Sequence, residues 1–209
     1  MVRSIFLLMI SLVLARAEPP REAYLNWASE IKKLPGFKFH YQEKTIYESI
    51  DRINESEGEF YFMLPNYYRL ETEDLEIFAT SAFLWNYDKP NKQTIIHRRQ
   101  GIQSPIELLI MSSDIDAFFS VDSIGKKSVD KKERGWFRLV RNEGAEQIPY
   151  SLIEIYYELK SKAPVLLIVR DENDTVTRVA LTKFDRKFRE KPEFFEYSKK
   201  IGVEEIKMY

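Results

Sequence analysis

The stretch Glu59-Phe60-Tyr61-Phe62-Met63-Leu64-Pro65-Asn66-Tyr67-Tyr68-Arg69-Leu70 sets the reading of the whole chain. Apolar side chains recur at 60, 62 and 64 and again at 68 and 70. That two-residue period places them on one face of extended backbone. Between the two runs lies Pro65-Asn66, where proline fixes φ and asparagine bonds its own backbone, so the chain turns there. The stretch therefore reads as two neighbouring strands of a sheet with one apolar face.

The same pattern extends in both directions. Upstream, Phe37, Phe39 and Tyr41 alternate with polar residues, residues 46–53 continue in extended character, and Glu57-Gly58 signals a turn. Downstream come residues 76–79, then Phe83, Trp85 and Tyr87 on one strand face, the turn Asp88-Lys89-Pro90-Asn91, and residues 94–97. Strands resume at 136–140, 152–159, 165–170 and 176–184, the last two joined by the hairpin turn Asp171-Glu172-Asn173-Asp174, and 194–197 and 203–206 close the chain. Ten or eleven antiparallel strands with few helices predict a mainly β (α+β) fold, an incomplete barrel or strongly curved half-barrel. No linker, low-complexity tract or repeat divides it.

Two helical segments interrupt the strands. Residues 22–34 carry Leu25, Ala28, Ile31 and Leu34 as a stripe, stopped by Pro35-Gly36. Mid-chain, Ser104 is a cap residue and Pro105 suits the first helical position, opening a helix through Ile106 to Met111. Residues 114–119 read as a second short helix. The 106–111 segment is apolar on nearly every side except Glu107. Such a helix belongs in the concavity of the sheet, either as a permanent core element or as a plug.

Residues 1–17 have the layout of a cleavable secretory leader: Arg3, an apolar run from Ile5 to Leu14 broken by Ser11, and Ala15-Arg16-Ala17 with small residues two apart. The apolar run is about ten residues, against about 20 for a membrane span. A single domain over 18–209 is expected to function outside the cytoplasm. The chain has no cysteine, hence no disulfide, thiolate metal site, catalytic thiol or lipid-attachment cysteine. Loss of Arg3 and Arg16 with the leader takes the formal charge from −1 to −3. Mixed charges near neutrality give no reason to expect a nucleic-acid partner.

Several stretches together carry a resemblance: Tyr41-Gln42, Gly58-Glu59-Phe60-Tyr61-Phe62, Pro65-Asn66-Tyr67-Tyr68-Arg69-Leu70-Glu71, and Leu84-Trp85-Asn86-Tyr87-Asp88. Ser104-Pro105 leading into Leu108-Leu109, Pro192-Glu193-Phe194-Phe195 and Gly202-Val203-Glu204 complete it. In this order and spacing behind a leader, the sequence resembles the LolA-type periplasmic carriers of outer-membrane lipoproteins. The resemblance implies an incomplete antiparallel barrel whose apolar inner face is lidded by short helices. It also implies a periplasmic, non-enzymatic, monomeric carrier without cofactor. Its partners would be acylated lipoproteins, an ATP-driven lipoprotein-releasing transporter of the inner membrane, and an acceptor lipoprotein at the outer membrane. On this reading the acyl-chain cavity is lined by Phe60, Phe62, Leu64, Tyr68, Phe83, Trp85 and Tyr87. The lid presents Ile106, Leu109 and Ile110. One departure stands out. Family members carry an arginine before the proline corresponding to Pro65 that helps latch the lid, whereas this chain has Leu64, so lid closure is expected to rest on packing.

Rival chemistry is thin. His40 and His97 sit on separate strands without ligand-spaced partners. Asp171, Glu172 and Asp174 lack the loop spacing of a calcium site. No phosphate loop or nucleophile elbow occurs. Lys126, Lys127, Lys131, Lys132 and Arg134 read as a solvated hairpin tip or, alternatively, a docking surface. Two other functions fit a half-barrel: a periplasmic sensor or regulator, which would want a further partner-binding domain, and a lipocalin-like carrier of small apolar ligands, which would want a closed barrel without a plug.

Overall fold

The computed structural model describes residues 19–99, 104–110, 115–145 and 148–209. The secretory leader read at 1–17 lies outside the described residues. Helix α1 (Pro20–Lys32) starts on Pro20, which needs no hydrogen-bond partner at a first-turn position, and ends just before Pro35-Gly36. It buries Tyr24, Trp27, Ala28 and Ile31. The face is rotated from the expected Leu25–Leu34 stripe because the large Tyr24 and Trp27 rings contact Phe137. Trp27 also donates its indole N–H to the Lys162 carbonyl at 2.9 Å.

The remaining chain forms one open sheet. Its strands are β1 (Gly36–Tyr47), β2 (Arg52–Met63), β3 (Tyr67–Thr72), β4 (Leu75–Ala79), β5 (Phe83–Asp88) and β6 (Gln93–Arg98). After α2 (Glu107–Ile110) come β7 (Phe119–Val129), β8 (Lys132–Arg141), β9 (Tyr150–Tyr157), β10 (Pro164–Asp171), β11 (Val176–Asp185) and β12 (Glu204–Lys207). The spatial order is β12-β6-β5-β4-β3-β2-β1-β11-β10-β9-β8-β7. All neighbours are antiparallel except β12, which runs parallel to β6. The sheet is curved but does not close, so the expected half-barrel holds, with twelve strands.

Several local readings are corrected, among them the turn at Glu57-Gly58, which lies inside β2. Residues 46–53 are the tip of the β1–β2 hairpin, a one-turn 3₁₀ segment (Glu48–Ile50) closed by Asp51 at φ 49°. Strand β7 escaped sequence reading because most of it is exposed and carries no apolar alternation. The basic run accordingly belongs to β7 and β8 themselves, with only Asp130 and Lys131, both at positive φ, in the turn. Residues 194–197, read as a strand, lie in the 3₁₀ turn Pro192–Phe195 and the non-strand stretch after it; the short helix read at 114–119 is a 3₁₀ turn, Ile115–Ala117, with residue 114 outside the described residues.

Cross-strand register assigns the faces. The inner face carries Phe37, Phe39 and Tyr41 of β1, Phe60 and Phe62 of β2, Tyr68 and Leu70 of β3, Ala79 of β4 and Leu84 of β5. These residues, α1 and α2 share one buried cluster. The outer face of the β2–β6 half is also covered, by the C-terminal segment. Phe194 meets Tyr61, Phe195 meets Tyr67, and Tyr197 meets Phe78 while accepting a hydrogen bond from Thr94 at 2.9 Å. Both faces of this half are therefore apolar.

Candidate functional site

The interior is an aromatic floor roofed by α2. Phe37, Phe39 and Phe60 stack in sequence, with centroids 6.1 and 5.0 Å apart, and Phe60 continues onto Tyr68 at 5.6 Å. Phe62 lies 4.9 Å from Phe37. Such rings offer broad apolar contact without directional demands. Above them Ile106, Leu108 and Leu109 are at most 1% exposed, and Ile110 packs against the same cluster from its margin. A four-residue helix cannot hold itself together. Its place is set by this burial and by the polar contact described below.

Phe60, Phe62, Tyr68, Ile106 and Leu109 are thus brought together, with Ile110 beside them. Phe83, Trp85 and Tyr87 are not. They share a strand face as expected, but it is the outer one: Trp85 pairs with Phe78 and Ile96, whereas Leu84 pairs with Ala79 on the inside. Phe83 packs on Trp85 and Tyr209, and the Lys200 ammonium sits 4.0 Å from the Tyr87 ring centroid. Alternation says which residues share a face, not which face is which, and here both are covered. Leu84, 2% exposed, takes the interior place on β5. Leu64 is corrected as well. It follows the last residue of β2, is 40% exposed, and its amide bonds the Pro35 carbonyl at the strand end.

A family model described as outer membrane lipoprotein carrier protein LolA matches residues 32–198. The chain belongs to the LolA family. Its fold recurs in an uncharacterized conserved protein from Thermus thermophilus (TM-score 0.59, 12% identity, covering 91% of this chain and 100% of that one). A DUF1329 family protein from Desulfovibrio piger (TM-score 0.50, 10% identity) covers 86% of this chain and 98% of that one. A LolA superfamily protein from Nitrosomonas europaea also matches (TM-score 0.48, 12% identity, 84% and 96% covered). No curated protein matches the chain in sequence. LolA-family proteins are periplasmic, and theirs is a binding and carrier fold. Among the described residues no helix is long and apolar enough to cross a membrane.

In this LolA-family member α2 also makes a polar contact that sequence reading missed. Glu107, 1% exposed, accepts a hydrogen bond from the Tyr68 hydroxyl at 2.7 Å. Arg99, which follows β6, places Nη2 4.0 Å from the second carboxylate oxygen and lies over the Tyr68 ring. Burial, and then the Glu107 charge, hold the Tyr68 phenol well above its ordinary pKa, so it stays a donor. Packing is therefore not all that holds α2 in place. The lone charge in an apolar helix was the available signal.

Elsewhere the floor is more polar. Glu43, on the inner side of β1, has its carboxyl pKa raised by burial, which the Thr45 hydroxyl partly offsets. A cleft of about 680 Å³ opens between the β7–β8 turn and strands β1, β2, β10 and β11, and none of the predicted lining residues borders it. Carboxylates and the cations Lys44 and Arg178 are mixed along its walls. Arg69 lies on the outer face, its guanidinium between the Phe78 and Phe194 rings and beside Glu71. His40 bonds Glu59 at 3.1 Å and His97 approaches Asn86 at 3.4 Å. Among the described residues no group of three or more acidic or histidine side chains gathers to hold a metal. Three members of the basic run are paired: Lys126 with Glu133, Arg134 with Glu158, and Lys127 with Glu154 while covering the Trp136 ring.

Proposed function

We propose that the protein, exported by the leader at residues 1–17 and working as a single domain over 18–209, carries the acyl chains of lipoproteins through the periplasm. It would receive them from an ATP-driven transporter at the inner membrane and deliver them at the outer membrane. The observation that carries this reading is the burial of α2: an almost wholly apolar segment lies between the aromatic floor and the rest of the core, where fatty chains would lie. At about 0.8 kcal/mol per methylene, three acyl chains bring a hydration penalty on the order of 30 kcal/mol. A carrier must offset most of this and still let go. A lid that fills the cavity when cargo is absent keeps apolar surface covered in both states, so loading and release stay near balance. The floor of Phe60, Phe62 and Tyr68, joined by Phe37, Phe39 and Leu84, and the lid residues Ile106, Leu109 and Ile110 would trade contacts with one another for contacts with cargo.

The test is purification from cells under conditions that keep cargo bound, followed by mass spectrometry. Co-purifying triacylated or diacylated lipoproteins support the reading. Recovery of free small lipids alone would shift it to a small-ligand carrier, and recovery of a specific unacylated protein partner would shift it to a regulator.

A further inference from the structure

Glu107 is the one charged residue in the described part of the lid, residues 104–110. A plug needs no carboxylate. Leucine would fill the space, and apolar replacement of a buried ion pair is commonly neutral or stabilising. The geometry around Glu107 explains its presence better than packing does. Its two partners are fixed by the sheet, not by the lid. Arg99 Nη1 donates to the Asn66 carbonyl at 2.7 Å and the Thr80 carbonyl at 3.3 Å, in the turns after β2 and β4. The guanidinium carbon lies 5.0 Å from the Tyr68 ring centroid, and Tyr68 itself stacks on Phe60. The Arg99 side chain is only 14% exposed. When the lid lifts, a cation and a phenol stay in place, aimed into an apolar hollow, with their acceptor withdrawn.

We propose that Tyr68 and Arg99 form a headgroup subsite, occupied by the Glu107 carboxylate in the closed form and taken over on opening by the oxygens that adjoin the cargo's acyl chain. The proposal rests on the carrier reading above and adds the polar half of the ligand to it. Both protein groups are donors, so the ligand must be an acceptor: a carboxylate, or the ester and amide carbonyls of an acylated glycerol or amine. A carboxylate would bind more tightly, because it restores the counter-charge Arg99 loses with the lid. A cationic head would meet a cation. The exchange is matched throughout, since chains replace Ile106, Leu108 and Leu109 while the head replaces Glu107.

The experiment compares palmitate, methyl palmitate and hexadecylamine, which share a chain length and differ in the head. Each is titrated against an apolar fluorophore bound to the whole chain, below micelle-forming concentrations. The expected order is palmitate, then the ester, then the amine, with palmitate preferred to the amine by about tenfold or more, the worth of a hydrogen bond to a charged group. Arg99→Met should bring that ratio close to one while chain binding persists, and Tyr68→Phe should lower it partway. Glu107→Gln should strengthen binding of all three together and keep the ratio, because it loosens the latch and leaves the subsite intact. A palmitate preference over the ester points to free fatty acids, and equal binding of the two with the amine excluded points to ester-linked lipid; either supports the subsite. Equal affinity for all three heads, or a ratio unchanged in both Arg99→Met and Tyr68→Phe, overturns it while leaving the carrier reading standing. No displacement by any of the three, in the native chain or in Glu107→Gln, overturns both.

Discussion

Leu109 sits 1% exposed between the lid backbone and the aromatic floor, and Leu109→Ala separates a movable lid from a fixed core helix. Truncating a buried leucine costs about 2–5 kcal/mol, part transfer energy and part cavity. That cost falls only on states in which residue 109 is buried. If α2 is fixed, the whole cost is lost from global stability and nothing else changes. If α2 lifts, the closed form alone is penalised, and the closed-to-open equilibrium shifts by about 30-fold at 2 kcal/mol. The apparent affinity for an apolar ligand of the open form scales with the open fraction, so it should tighten by up to that factor until the open form predominates. The assay is titration with an environment-sensitive apolar fluorophore, alongside a melting curve. Both readings lower the melting temperature, by roughly 2–4 °C per kcal/mol for a domain of this size. Only the lid reading raises probe affinity. A lowered melting temperature with unchanged probe binding would refute the lid.

Other consequences follow from the sheet. A Cβ at Gly58 would lie 2.1 Å from the Glu71 carbonyl oxygen, so Gly58→Ala must separate β2 from β3 and should destabilise by about 1–3 kcal/mol or more, read by chemical denaturation; wild-type stability would contradict the register. Burial raises the Glu43 pKa, so between the ordinary carboxylate value and that raised value the folded state binds more protons than the unfolded one. Stability should therefore fall as pH rises through this window. Glu43→Gln should flatten the fall and melt higher at neutral pH, and parallel pH profiles for the two chains would exclude the effect. Deleting residues 204–209 removes β12 from β6 and bares a sheet edge, so sedimentation should show more self-association than the full chain, and an unchanged distribution would show that the edge is protected by something else.

Much of the architecture was legible along the chain because a half-buried strand writes its period into the sequence. Phe37, Phe39 and Tyr41, then Phe60 and Phe62, then Tyr68 and Leu70 alternate as their inner-face register requires. Strand β7 was silent for the same reason: with few buried side chains it has no period to display. The segment 106–110 was legible as oddly apolar, and it lies in the buried cluster that also holds Phe60 and Tyr68. Phe83, Trp85 and Tyr87 misled because the C-terminal segment turns back over the outer face and makes that side apolar too. Nothing local to β5 encodes a cover that arrives more than a hundred residues later.

Local patterning by itself determined the class of fold, the stop after α1, the turns at Pro65-Asn66, 88–91 and 171–174, and the presence of a segment too apolar to lie in water. Those follow from neighbours within a few residues, where backbone geometry and side-chain period act directly. Only the tertiary structure decided which side of each strand faces α2, and only it brought Tyr68 of β3 to the buried point where Arg99 and Glu107 also meet. A charge in an apolar helix is a cost whose partner the sequence does not name, because the partner is chosen by how the sheet curves.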